Sequence, residues 1–141
     1  MNKTRKKKVL FLCTHNSARS QMAEGLLRYL ASDRFEVFSA GTEKTFVRPL
    51  AIKAMGEIGV DISQQKSKTL QQYLKDEFDY VITVCDSAHE ACPFFVGAKE
   101  RLHWSFPDPS RVEGSEMEKR EAYRSVRNAI QKRIETELLS L

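Results

Sequence analysis

Five consecutive apolar residues, Val9-Leu10-Phe11-Leu12-Cys13, run directly into the polar stretch Thr14-His15-Asn16-Ser17, which leads to apolar residues spaced by four, Met22, Leu26 and Leu30. A continuous apolar run without alternation fits a strand covered on both faces. The four-residue spacing, with Ala23 and Leu27 beside it, fits a helix burying one stripe. The rest of the chain repeats this alternation. Phe35 to Ser39 reads as a second strand closed by Ala40-Gly41. Pro49 stands at the first position of a helix whose stripe is Ala51, Ile52, Met55 and Ile58 and which Gly59 ends. A weaker helix is expected over 69–75, a third strand over Tyr80 to Cys85 and a fourth over Leu102 to Phe106. Ser115 and Glu118 have capping-box spacing ahead of a helix carrying Tyr123, Val126, Ile130, Ile134 and Leu138 on one face. Strands alternating with helices predict an α/β fold: a single domain over 9–141, with a four-stranded parallel sheet flanked by helices on both faces.

Charge and hydropathy narrow the partners. Lysine and arginine number 23 against 19 acidic residues. Five of the basic side chains, Lys3, Arg5, Lys6, Lys7 and Lys8, crowd residues 1–8, which leaves 18 facing 19 in the rest. The folded part is close to neutral and the basic tail reads as a solvated end, so neither nucleic acid nor a membrane is expected as a partner. The apolar run after the tail is shorter than the roughly 7–15 residues of a secretory signal. Nothing approaches the roughly 20 residues of a membrane span. A cytoplasmic monomer is the expectation. Three cysteines is an odd number, a poor basis for a disulfide scaffold, so position has to separate core thiols from reactive ones.

The segment Cys13-Thr14-His15-Asn16-Ser17-Ala18-Arg19-Ser20 carries the candidate chemistry. It leaves the carboxyl end of a strand and enters a helix, where open α/β sheets bind ligands. Backbone N–H groups of such a turn can converge on one anion, and the helix N-terminus adds partial positive charge. Arg19 offers a planar fork that matches two oxygens of a phosphate-like group. The same field favours the thiolate of Cys13. Cys13 and Arg19 are the candidate catalytic pair, and Thr14, His15, Asn16, Ser17, Ala18, Arg19 and Ser20 the candidate oxyanion cradle. A cysteine closing an apolar strand is by itself more often core. The strand before this one and the helix after it favour the site. The His15 side chain reads as solvated, and His103 and Trp104 as packing.

Cys13-x5-Arg19-Ser20 followed by Gln21-Met22-Ala23-Glu24-Gly25 resembles the low-molecular-weight tyrosine phosphatase family, and most of all its arsenate reductase branch that recycles through thioredoxin. The likeness continues through Ser39-Ala40-Gly41, Val84-Cys85, Cys92-Pro93, His103-Trp104 and Asp108-Pro109. The resemblance implies a sheet order of 2-1-3-4, which sets Cys85 near Cys13; strand patterns alone do not order the sheet. It implies a relay of three thiols. Cys13 attacks arsenate with help from Arg19, and water leaves with a proton from Asp108. Cys85 then attacks Cys13, releasing arsenite, and Cys92 attacks Cys85. A Cys85–Cys92 disulfide remains for thioredoxin to reduce, with glutaredoxin as the other conceivable donor. No resident cofactor is implied.

The sequence departs from the family pattern at two places. Asn16, Glu24 and Ser39 match positions that hold potassium in some members, but the fourth position is Lys68, whose ammonium would repel a cation and pair with Glu24 instead. No metal is expected. Ala18 replaces a cysteine common in the loop and leaves the three relay thiols intact. Cys85-x3-His89-x2-Cys92 has donor atoms for zinc, yet no fourth ligand is evident. Two other functions compete: a tyrosine phosphatase using Cys13, Arg19 and Asp108 alone, and a non-enzymatic arsenite- or metal-binding regulator. Finally, a helical 86–92 would hold the Cα atoms of Cys85 and Cys92 roughly 10 Å apart. A disulfide tolerates only about 4.4–6.8 Å. The segment 86–98 is therefore expected to differ between reduced and oxidised forms.

Overall fold

The computed structural model describes residues 5–86 and 90–141. Strand β1, Lys7–Cys13, contains the apolar run, and Val9 to Leu12 are fully buried within it. It lies between β2, Phe35–Gly41, and β3, Phe78–Thr83, while β4, Ala98–His103, forms the far edge. The order is β2-β1-β3-β4 and every pair is parallel, as the resemblance implies. The register sets Cys13 against Gly41 and Leu12 against Thr83, so three strands finish at one level. A loop leaving β1 there meets the ends of its neighbours.

Among the described residues, three α-helices complete the fold: α1, Arg19–Ala31, α2, Pro49–Gly56, and α3, Glu116–Glu137. They pack together over the sheet face that carries Val9, Phe11 and Cys13, bringing Met22, Leu26, Met55, Ile130 and Ile134 into one core. Each such side chain contributes about 1.5–3 kcal/mol by leaving water. The opposite face, with Leu10, Leu12, Phe78 and Val81, has a thinner cover made of Phe95, Leu70 and Tyr73. Aromatic edge contacts with centroids 5.4 to 5.8 Å apart hold that layer together.

Several element boundaries differ from the sequence expectation, each for a physical reason. The helix expected over 69–75 is a 3-10 turn, Leu70–Tyr73. Seven residues nucleate an α-helix poorly, and Leu70 and Tyr73 at i, i+3 suit the tighter turn. The third strand runs Phe78–Thr83, so Val84 and Cys85 lie just past its end, where the Val84 N–H still donates to Leu12 at 2.9 Å. The fourth strand is Ala98–His103, earlier than the apolar residues 102–106. As an edge strand it leaves Lys99, Glu100 and Arg101 in solvent and shows no apolar run to read. Trp104 and Phe106 are buried nonetheless, as core packing beyond the ladder. Helix α2 stops at Gly56, and Gly59, with φ of +80°, turns the chain three residues later. The Ser115–Glu118 capping box is present in full, with bonds of 3.1 and 2.9 Å.

Candidate active site

The segment 13–20 folds as a cradle because its own side chains tie it down. Asn16 adopts φ of +49°, a left-handed conformation that asparagine tolerates better than most residues. Its amide donates to Ser20 Oγ at 2.8 Å and Ser39 Oγ at 2.9 Å, and accepts from Gln21 Nε2 at 2.9 Å and the Lys68 N–H at 2.7 Å. A fully engaged, fully buried amide of this kind fixes the curl of the loop from inside. From outside, Thr14 O accepts from the N–H groups of Thr42 and Glu43. The backbone comes so close to β2 that a Cβ on Gly41 would sit 2.6 Å from Thr14 O. Glycine is required there for the approach. Helix α1 begins at Arg19 without a side-chain cap, which leaves its first-turn N–H groups for a ligand.

Cys13 is a free thiol, buried at the end of β1, and its sulfur lies 2.9 Å from Ser20 Oγ. Arg19 is buried beside it, and its fork holds both carboxylate oxygens of Glu90, Nη1 to Oε2 at 2.6 Å and Nη2 to Oε1 at 3.0 Å. Nη1 also donates to Phe106 O at 3.2 Å. Burial works against the guanidinium charge, but the Glu90 bond and the charges around it outweigh burial and raise the Arg19 pKa above its ordinary value. Burial likewise opposes ionisation of Glu90, and bonds from Arg19, the Asp86 N–H and Thr14 reverse it, holding its carboxyl below the usual range. Asp108 follows β4 and caps the 3-10 turn Pro109–Arg111, accepting from the Ser110 N–H at 2.9 Å. Its Oδ2 is 3.6 Å from Arg19 Nη2. A cleft of about 580 Å³ is lined among others by Thr14, His15, Glu90, Cys92 and Asp108. His15 is part-exposed and faces Glu43 at 3.4 Å. A larger cleft, about 690 Å³, runs along 44–47 and 63–72 but includes no cysteine.

The other two cysteines are joined. Cys85 and Cys92 form a disulfide with Cα atoms 6.0 Å apart. That spacing is too short for seven residues of α-helix, and 90–97 carries no helix. His103, expected only to pack, places its ring beside the bond: ligand atoms of Cys85, Cys92 and His103 lie within 4.8 Å of one another. Its Nδ1 is 2.6 Å from Thr83 Oγ1. These are zinc-type donors, but two of the three are spent on the disulfide. The zinc grouping read from sequence used His89, which lies outside the described residues. At the potassium-like positions, Ser39 Oγ donates to Glu24 Oε1 at 2.5 Å. Lys68 Nζ lies 3.7 Å from the same oxygen and Arg28 donates to the other at 2.6 Å. Burial lowers the Lys68 pKa, and Arg28 lowers it further against the pull of Glu24. Glu24 is thus met by two cations of the chain itself. Glu90 is the residue that sequence reasoning missed: it stood in a polar run with no motif to single it out.

The profile of the low molecular weight phosphotyrosine protein phosphatase family matches residues 8–141. The chain belongs to this family. Among low molecular weight phosphatase relatives, the arsenate reductase of Halalkalibacterium halodurans is 50% identical over 131 residues, covering 93% of this chain and 94% of that one. A solved arsenate reductase in the oxidized state superposes with a TM-score of 0.80 at 34% identity, covering 95% of this chain and 98% of the other. A thioredoxin-dependent arsenate reductase of Corynebacterium glutamicum superposes with a TM-score of 0.69 at 31% identity, covering 96% of this chain and 64% of its own. Among the described residues, no helix is long and apolar enough to cross a membrane.

Proposed function

We propose that this protein reduces arsenate to arsenite through Cys13, Cys85 and Cys92, with thioredoxin closing the cycle. The observation that carries the reading is the Cys85–Cys92 disulfide beside a free Cys13 in an anion loop. Hydrolysis of a phosphate ester needs neither of the bonded cysteines, whereas a relay ends in that bond.

The chemistry follows from thiol exchange. The Cys13 thiolate attacks arsenic(V) in the loop, where N–H groups of 14–19 and the Arg19 fork meet the oxyanion. A hydroxyl of the arsenate leaves as water, taking its second proton from the Asp108 carboxyl. The Cys85 thiolate then attacks Cys13 Sγ, and the sulfur–arsenic bond breaks with its electron pair on arsenic, which departs as arsenite. The Cys92 thiolate attacks Cys85 Sγ, forming the observed disulfide and returning Cys13 as a thiolate. A thioredoxin dithiol reduces the disulfide and is itself oxidised. Ser20 Oγ at 2.9 Å from Cys13 Sγ is placed to stabilise that thiolate at each return. A thioredoxin reductant fits work in a reducing compartment such as the cytoplasm, and the near-neutral charge of the chain beyond its basic tail supports a reading without a nucleic-acid or membrane partner.

Arsenate-dependent NADPH oxidation with thioredoxin and thioredoxin reductase supplied tests the reading. Turnover that needs all three cysteines is expected. Hydrolysis of aryl phosphates with no arsenate-dependent oxidation would overturn it in favour of the phosphatase.

A further inference from the structure

The position an oxyanion would take on the Arg19 fork is filled by the protein itself. Glu90 Oε2 accepts from Arg19 Nη1 at 2.6 Å and from the Asp86 N–H at 3.1 Å, and Oε1 accepts from Arg19 Nη2 at 3.0 Å and from Thr14 Oγ1 at 3.1 Å. Two parallel bonds to a guanidinium, a loop hydroxyl and a backbone N–H form the donor set that a tetrahedral oxyanion uses. Two of these partners, Thr14 and Arg19, belong to the loop itself. An incoming anion has to displace the carboxylate.

Glu90 also sits inside the ring that the disulfide closes, five residues after Cys85 and two before Cys92. With the ring closed, the Cα atoms of Cys85 and Cys92 are 6.0 Å apart, and Cys92 joins Glu90 in lining the cleft beside Thr14. With the ring open, nothing covalent holds it there, and a helical turn would carry the two ends roughly 10 Å apart.

We propose that Glu90 is an internal competitor for the oxyanion, holding the Arg19 fork while the Cys85–Cys92 disulfide stands and leaving it when the disulfide is reduced. This rests on the relay reading for its benefit. While Cys85 is bonded to Cys92, an arsenic captured by Cys13 would have no thiol to resolve it. A carboxylate that blocks the loop in that state keeps Cys13 unloaded until thioredoxin has acted, so loading and resolving capacity appear together. The apparent dissociation constant of an anion rises by the inverse of the open fraction. A Glu90-in population of about nine-tenths therefore weakens binding about tenfold.

The test is a titration of inorganic phosphate, followed by the amide resonances of 14–20, on two forms of the full chain. One is fully reduced, and the other carries the 85–92 disulfide, verified by peptide mass after blocking Cys13. Wild-type protein is expected to bind phosphate about tenfold or more weakly when oxidised. In Glu90→Gln the oxidised affinity should rise to that of the reduced protein. Glu90→Asp, which keeps the charge but shortens the reach, should also relieve the block. Equal affinities of the two wild-type forms, or an oxidised Glu90→Gln protein as weak as oxidised wild type, would overturn the proposal. So would a full block retained in Glu90→Asp, which would assign the effect to charge rather than occupation. The titration requires no turnover. Failure of arsenate-dependent NADPH oxidation would strike the relay and leave this result standing, and equal phosphate affinities would strike the gate and leave the relay standing.

Discussion

At the residue scale the three cysteines differ in what their neighbours allow. Cys13 is buried against Ser20 with Arg19 nearby, so its sulfur can act only on something the loop admits. Cys13→Ser should abolish arsenate reduction and any side activity on aryl phosphates, because an alkoxide forms far less readily than a thiolate. Ordinary turnover of either substrate by that variant would remove Cys13 from the mechanism. Cys92→Ser should stop multiple turnover with thioredoxin while sparing aryl phosphate hydrolysis, which parts from the relay after Cys13. Unchanged arsenate cycling there would leave the phosphatase as the better reading. Lys68 gives a third expectation at this scale. Its ammonium is 3.7 Å from one Glu24 oxygen and Arg28 takes the other, so two cations of the chain already face this carboxylate. Activity should be nearly indifferent to replacing potassium by sodium at fixed ionic strength, and a specific activation by potassium would show that Lys68 yields its place.

At the element scale, what moves is separated from what stays. The cradle 13–20 is anchored by Asn16, Gly41 and the end of β2, none of which belongs to the disulfide ring. Between β3 and β4, the contacts of the described residues with the loop centre on Glu90, which Thr14 and Arg19 hold. The disulfide joins Cys85 to Cys92, and the Arg19–Glu90 pair ties this region to the loop. A helical reduced form would trade for the ring at a cost of a few backbone hydrogen bonds, each about 1 kcal/mol net. Amide exchange should therefore differ between reduced and oxidised protein across 86–98 and agree within the sheet and 13–20. Equal protection across 86–98 in both states, with the bond confirmed by mass, would rule out the rearrangement.

At the scale of the whole molecule, α1 lies on β1 and β2 while α3 packs across α1 and α2, and one acidic residue ties α3 to α2. Glu57, just past the end of α2, accepts from Arg124 at 2.7 Å and from Arg127 at 2.9 Å, and Arg127 also donates to Ala54 O at 2.7 Å. The bond from Arg124 is the main cause that lowers the Glu57 pKa from 4.5 to about 2. A carboxyl depressed on folding contributes its stability above its unfolded value, and that contribution fades as pH falls through the folded one. Glu57→Gln should thus melt lower than wild type near neutral pH, with the gap narrowing between about 4.5 and 2. A gap that stays constant with pH in thermal melts would mean that Glu57 acts through packing and not through charge.

The chain's own pattern was enough for the frame of this protein. The run 9–13, the stripe of α1, Pro49 ahead of α2 and the Ser115–Glu118 cap are local signals. Local sterics and burial produce them wherever they occur, and each forms where it was read. The loop from Cys13 to Arg19 was legible for the same reason, since nucleophile, cation and helix start are contiguous. The edge strand Ala98–His103 was not, because an edge needs no continuous apolar face, and the turn at Leu70 was shaped by the sheet face it covers. The meeting of Cys85 with Cys92, the ring of His103 beside them and the carboxylate of Glu90 on Arg19, 71 residues away, are decided only when β1 and β3 align in parallel and bring their ends to one level. Through-space electrostatics and hydrogen bonding select those partners. Neither leaves a periodicity in the chain.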